Sequence, residues 1–223
     1  MNLLLSTIIS ILTFGAVADN AKTNNAQAIN KAIEAVAEKG GGKVVVPAGT
    51  FVTGTIYLKS NVMLVLEQGA VLKGSPRLED YQSLKTTLDL SKFESGEGTV
   101  NYNSATDPEW SRSLIFAIGV HNAGICGEGT IDGDNVRNPK GEEHMRGPHT
   151  VLLAGCEIIV ARCEMTISRH ETIFNVMGCG FMGMSFAVGS TGSGFIVMDS
   201  GLAPAVTHLY PAAAKRGAVC LSA

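Results

Sequence analysis

The sequence predicts an all-β chain wound as a right-handed parallel β-helix, a solenoid whose first end is covered by a helix. Three observations predict it. Short apolar segments rich in β-branched residues follow one another closely, with turn residues between them. Gly155-Cys156 recurs 23 residues later as Gly178-Cys179, each pair set between apolar runs. A period of roughly 20–45 residues marks stacked structural repeats. Glycine supplies 26 of 223 residues, which suits a fold with a tight turn at every corner. The strands lie too close together for βαβ units, whose crossovers need roughly a dozen residues. A sandwich also accommodates short strands, but continuous apolar runs between frequent turns favour coils whose inward side chains stack as ladders.

The opening segment admits two readings. Leu3 to Phe14 is largely apolar and Ala16-Val17-Ala18 resembles a cleavage site, so residues 1–18 fit a signal peptide and an extracellular or periplasmic destination. Against that, no Lys or Arg precedes the run, and Ser6, Ser10 and Thr13 interrupt it. It is also too short to span a bilayer. The other reading is a first β-strand, Ile11 to Phe14, turning at Gly15. Asn24 to Lys39 follows as the one clear helix. Ala26, Ile29, Ile33 and Val36 share a face, Thr23, Asn24 or Asn25 can cap the start, and Gly40-Gly41-Gly42 ends it. Such a helix at the head of a coil stack can cover the open end and block edge pairing.

Strands are expected at Val44 to Val46, Phe51 to Thr53, Thr55 to Leu58, Val62 to Leu66 and Ala70 to Leu72. Residues 75–112 break the rhythm. They hold Pro76, Tyr81, Phe93, Tyr102, Pro108 and Trp110 among polar residues and read as an excursion from the stack. Its aromatics either pack the loop down or stack on a sugar ring. Strands resume at Ser113 to Ile118 and Gly124 to Gly127. A second excursion spans 134–148, and two coils run from Val151 to Ile173 and from Phe174 to Ile196. The coil-bearing part is thus 11–186. Residues 187–223 lose the coil rhythm and contain Pro204, Pro211 and Gly217, which leave no capping helix. An uncapped last coil exposes a sheet edge, so this tail is expected to pack loosely and the chain to self-associate through its last coils.

Composition narrows the function. A net charge of −3 with no basic block lacks the footprint of a nucleic-acid binder. Cys126, Cys156, Cys163, Cys179 and Cys220 match no zinc spacing and, being odd in number, no complete disulfide framework, so buried thiols are expected. His144 and His149 share a loop with Glu142 and Glu143, an arrangement that suits solvated side chains better than a metal site. His170-Glu171 falls at a turn facing water, and no nucleophile elbow or dinucleotide loop occurs. Neither a cofactor nor a metal is expected. Asp132 and Asp134 would share a face in a continuing strand, but Gly133 between them indicates a turn, with the carboxylates capping backbone. Asn61 and Asn122 sit at similar turns, where stacked asparagines can bond neighbouring backbone.

Phe14-Gly15-Ala16 is followed by Asn24 to Ile29 and Ala32-Ile33. Then come Gly41 to Gly49, with its strand and Pro-x-Gly turn, Gly54 to Leu58, Leu66 to Leu72, Ile125 to Gly133 and Arg146-Gly147-Pro148. In this order, over roughly residues 11–182, the chain resembles the N-terminal half of the polygalacturonase-type glycoside hydrolases, family 28, in the pectate-lyase-like group. The resemblance implies a secreted β-helix acting on pectin-like polysaccharide along an exposed sheet face, by inverting hydrolysis between paired carboxylates. It also implies that Asp132 is structural. The family's Asn-Thr-Asp, Gly-Asp-Asp, Gly-His-Gly and Arg-x-Lys segments do not appear. Asp199 is the only carboxylate after Glu171, His208 sits in Thr-His-Leu, and Lys215-Arg216 is no Arg-x-Lys. The catalytic residues are therefore unassigned and the C-terminal part reads as truncated or altered. Two functions remain: a pectin hydrolase, or a catalytically incomplete β-helix that binds polysaccharide or is structural.

Overall fold

The computed structural model describes residues 7–87, 108–109, 111–134, 136–140 and 147–154, with the backbone of short strands between 157 and 208. β1 (Thr7–Ser10) runs into a 3-10 turn, Ile11–Phe14, and α1 spans Ala26–Glu38. Three strands then build each coil. The first coil is β2 (Gly42–Val46), β3 (Gly49–Thr53) and β4 (Ile56–Tyr57). The second is β5 (Val62–Leu66), β6 (Ala70–Gly74) and β7 (Ser113–Ile118). The third is β8 (His121–Gly127), β9 (Thr130–Asp132) and β10 (His149–Ala154). The fourth is β11 (Glu157–Ile159), β12 (Thr166–Ser168) and β13 (Phe174–Met177). β14 (Gly180–Met182) and β15 (Thr207–His208) follow.

Each strand pairs in parallel with its counterpart one coil on. The first sheet stacks β1-β2-β5-β8-β11-β14, the second β3-β6-β9-β12, and the third β4-β7-β10-β13. β15 lies antiparallel on β13. The chain is a parallel β-helix. Val151 pairs with Phe174 and Glu157 with Gly180, so the 23-residue period of the sequence is one turn of the coil.

Alternation along the strands selects the interior. In β5 and β6 every second residue is buried, as a strand with one face on the core requires. Register then lines the buried residues up across coils: Val44, Leu64 and Ile125; Phe51, Leu72 and Ile131; Ile56, Ile115 and Val151. All belong to one core cluster. Burying such a side chain contributes roughly 1.5–3 kcal/mol over leaving it in water. Gly127 ends β8 opposite Leu66 of the parallel β5, at φ 112°, and a Cβ there would overlap the Leu66 carbonyl.

The head of the stack is closed by α1 and three asparagines. Ile29, Ala32, Ile33 and Val36 of α1 face the core. Asn24 Oδ1 accepts from Gly54 N at 2.9 Å. The Asn25 amide donates to Val52 O and Val17 O and accepts from Val17 N. The Asn30 amide accepts from Tyr57 N and donates to Thr55 O, both at 2.9 Å. These amides occupy the positions that a preceding strand would fill, and so satisfy edge groups that would otherwise recruit another chain.

Three expectations change here. Ile11 to Phe14 is a 3-10 turn and not a strand; the strand precedes it. Ser10 Oγ accepts from Leu12 N, Gly15 closes the turn in the left-handed region, and Ile11 is thereby directed into the core. α1 also starts two residues later than the pattern suggests, because Asn24 and Asn25 use their side chains on the first coil. Cys126 is half-buried rather than buried, since it alternates with inward Ile125 on β8; the other four cysteines lie outside the described residues. Among the described residues no helix is long and apolar enough to cross a membrane.

Candidate functional site

The corner between the second and third sheets is where the coils differ. The first coil turns it with Gly54-Thr55 alone. The second and third insert their excursions there, one after β6 and one after β9. Two loops thus leave the same corner on consecutive coils.

The first excursion is rooted by Tyr81, 1% exposed, whose hydroxyl donates to Ser75 O at 2.7 Å. Burial above all, then the charges of Asp134, Asp80 and Asp132, push this phenol far above its usual range. Gly74 makes room for it: a Cβ there would strike the Tyr81 hydroxyl and the Gly133 carbonyl. Asp80 accepts from Ser75 Oγ and from Arg77 Nε. Burial alone would raise its pKa, but hydrogen bonds from Ser75 and Arg77, the Arg77 charge and a bond from Asn24 together hold it below the usual carboxylate range. The two limbs of the loop then meet. Ser113 N donates to Gln82 O, Leu84 N to Ser111 Oγ, and Arg112 Nη1 to Tyr81 O at 2.7 Å.

Glu109 joins the two excursions. It receives Arg112 and, at 2.9 Å, the buried amide of Asn138 from the second loop. The Arg112 and Asn138 hydrogen bonds keep its pKa low. In the second loop Asp132 Oδ1 accepts from Asp134 N at 3.0 Å, Asp134 adopts φ 59°, and Lys73 Nζ reaches Asp134 at 2.9 Å. Asp132 and Asp134 are turn and ion-pair residues here. Asp80, Glu109, Asp132 and Asp134 each hold framework through these ties, whereas inverting hydrolysis needs two carboxylates free to act across a water-sized gap.

His149 is not a solvated loop residue. It opens β10, is 1% exposed, and its backbone is held by Arg112 O and Ser113 Oγ. Its place at a strand start, where the corner closes over it, buries the ring. His144, Glu142, Glu143, His170, Glu171, Phe93, Tyr102, Trp110, Asp199 and the Lys215-Arg216 pair lie outside the described residues. Among the described residues no three metal-binding side chains gather. Of the excursion aromatics that are described, Tyr81 packs the loop down.

Sequence reasoning missed an aromatic on the outer face of the third sheet. There Phe116, Leu152 and Ala154 are buried in a small second cluster, with Leu84 of the first excursion packed against it. Tyr57, in register with Phe116, stacks on it with ring centroids 5.6 Å apart and planes 19° apart, yet is 40% exposed. The alternation of buried Ile56 and Leu58 with exposed Tyr57 and Lys59 was the available signal.

A sequence profile of the family described as rhamnogalacturonase A/epimerase, pectate lyase-like, matches residues 8–196. An exo-poly-α-D-galacturonosidase of Dickeya chrysanthemi is 37% identical over 57% of this chain and 19% of its own length. Plasmin and fibronectin-binding protein A of Streptococcus pneumoniae is 26% identical over 69% of this chain and 23% of its own. A family 28 exopolygalacturonase of Yersinia enterocolitica shares the fold, with TM-score 0.51 and 24% identity over 73% of this chain and 34% of that one. The chain therefore spans about a fifth of the length of these curated relatives. With the coil stack, its register and the profile match in agreement, the chain belongs to the rhamnogalacturonase A/epimerase, pectate-lyase-like family.

Proposed function

We propose that this chain carries the leading coils and the substrate-side wall of a polygalacturonase-type glycoside hydrolase acting on pectin-like polysaccharide by inverting hydrolysis. The observation that supports it is the family match across residues 8–196, laid over coils that raise two tied excursions at one corner. A wall beside a flat sheet face suits a long chain molecule better than a small one. The described residues supply framework and contact surface; acid and base are not assigned to any of them. A substrate of this kind places the protein outside the cell or in the periplasm. The test is reducing-sugar release from polygalacturonate by folded protein. Turnover with inversion at the anomeric carbon is the expected result, and sustained absence of product removes hydrolysis as the activity of this chain.

A second reading follows from one observation: Asp80, Glu109, Asp132 and Asp134, four carboxylates at this corner, are each engaged in an internal tie. On that reading the stack binds polysaccharide without cleaving it, or is structural. Binding of pectic oligosaccharides with no turnover would favour it, and equal affinity for unrelated neutral glycans would exclude a pectin-specific form.

A further inference from the structure

Tyr57 is the only exposed aromatic side chain among the described residues. It is also the uncovered end of a ladder. On the second and third coils the same outward position is filled by Phe116 and Leu152, both buried beside Leu84 of the first excursion. Leu84, from the described part of the excursion, therefore packs on the outer face of the third sheet at those coils, while Tyr57 on the first coil is 40% exposed. There one ring face of Tyr57 rests on Phe116 and the side chain stays open to solvent. Its backbone is fixed by Asn30, so the ring is presented on a rigid strand.

Lys59 shares this face. β4 ends at Tyr57, but burial alternates on from Ile56 to Lys59, so Tyr57 and Lys59 are the two exposed residues flanking buried Leu58. Residues two apart on a strand project about 7 Å apart on the same side. Lys59 takes part in none of the ion pairs of the described residues.

We propose that Tyr57 and Lys59 form an outlying subsite for one uronate residue of an acidic polysaccharide. The apolar C–H face of the pyranose lies on the Tyr57 ring, and the Lys59 ammonium meets the carboxylate. A hexose would use only the first contact; a uronate uses both. The inference rests on the polysaccharide reading above and adds a location and a charge requirement to it.

The test is calorimetric titration of the full chain with two oligomers of galacturonate, one free acid and one fully methyl-esterified. Tyr57→Ala is expected to weaken both by about fivefold to tenfold, which corresponds to a stacking contribution near 1 kcal/mol. Tyr57→Phe keeps the ring and is expected to keep the affinity. Lys59→Gln is expected to weaken only the free acid, with the loss shrinking as salt rises. Unchanged affinity in folded Tyr57→Ala, equal losses for both oligomers in Lys59→Gln, or a wild-type chain that binds neither oligomer would each overturn the subsite. Hydrolysis measured in parallel separates the two claims. Turnover with binding indifferent to these variants removes the subsite alone, whereas variant-sensitive binding without turnover removes the hydrolase reading alone.

Discussion

Asn25 is 1% exposed and bonds through its amide to both sides of Val17 and to Val52 O. Asn25→Ala leaves buried backbone groups unpaired, so a loss of about 2–3 kcal/mol is expected, read as a lowered denaturation midpoint. The sequence marks this asparagine as a helix cap; residue type alone does not reveal that the amide faces a strand in place of the helix turn. The Asp132–Asp134 turn was legible because glycine between two aspartates has few other uses. For Tyr57 only the outward position was legible, through alternation; its stacking on Phe116 joins two coils. The tyrosine and aspartate at the loop root also set a pH response. Asp80 has a depressed pKa, so its stabilising share is present above about pH 4 and is lost as pH falls through the folded value. Tyr81 has a raised pKa, so its share is present below about pH 10 and is lost as pH rises beyond that. Protection of the Tyr81 and Gln82 amides, measured relative to their intrinsic exchange rates, should fall at both extremes. Asp80→Asn should flatten the acid limb alone; an unaltered acid limb would show that another group governs it.

Among the elements, the short strands were the most legible, because alternation and β-branched residues act locally. The first strand was misplaced because Ile11 and Phe14 are apolar for a different reason: the 3-10 turn directs Ile11 under α1, and Phe14 packs against the core. The excursion boundaries were readable as a loss of period, but the zipping of the two limbs through Arg112 was not, since it joins residues 31 positions apart. Two substitutions separate coil from excursion. Phe51→Ala removes a fully buried ring from an inward ladder and should cost about 3–5 kcal/mol in global unfolding. Gly74→Ala drives a methyl group at the Tyr81 hydroxyl and the Gly133 carbonyl. It should free the first excursion for proteolysis at lower cost to the stack. Equal global losses from the two would mean that loop and coil form a single cooperative unit.

At the scale of the molecule, the strands pack chiefly on their counterparts in neighbouring coils, so stability is close to a sum of coil terms and interfaces. The 23-residue repeat made this architecture visible in the sequence, while the chemistry stayed hidden because no described residue carries the family's acidic segments. The expectation that the chain associates through its last coils is tested by light scattering across a concentration series. Mass rising with concentration, and a tail beyond residue 186 cleaved first, are the expected results. A monomer with a resistant tail would show a cap at that end.

The asparagine plug at the head of the stack gives the fold a direction. A linear array can fray from either end, but here one terminus is stitched to α1 through amides that leave the first coil's backbone little to gain by opening. Among the described coils, opening is then expected to reach the first coil through its neighbours and travel back toward β2. The first coil becomes the last to lose its register, and it is the template on which returning coils find theirs.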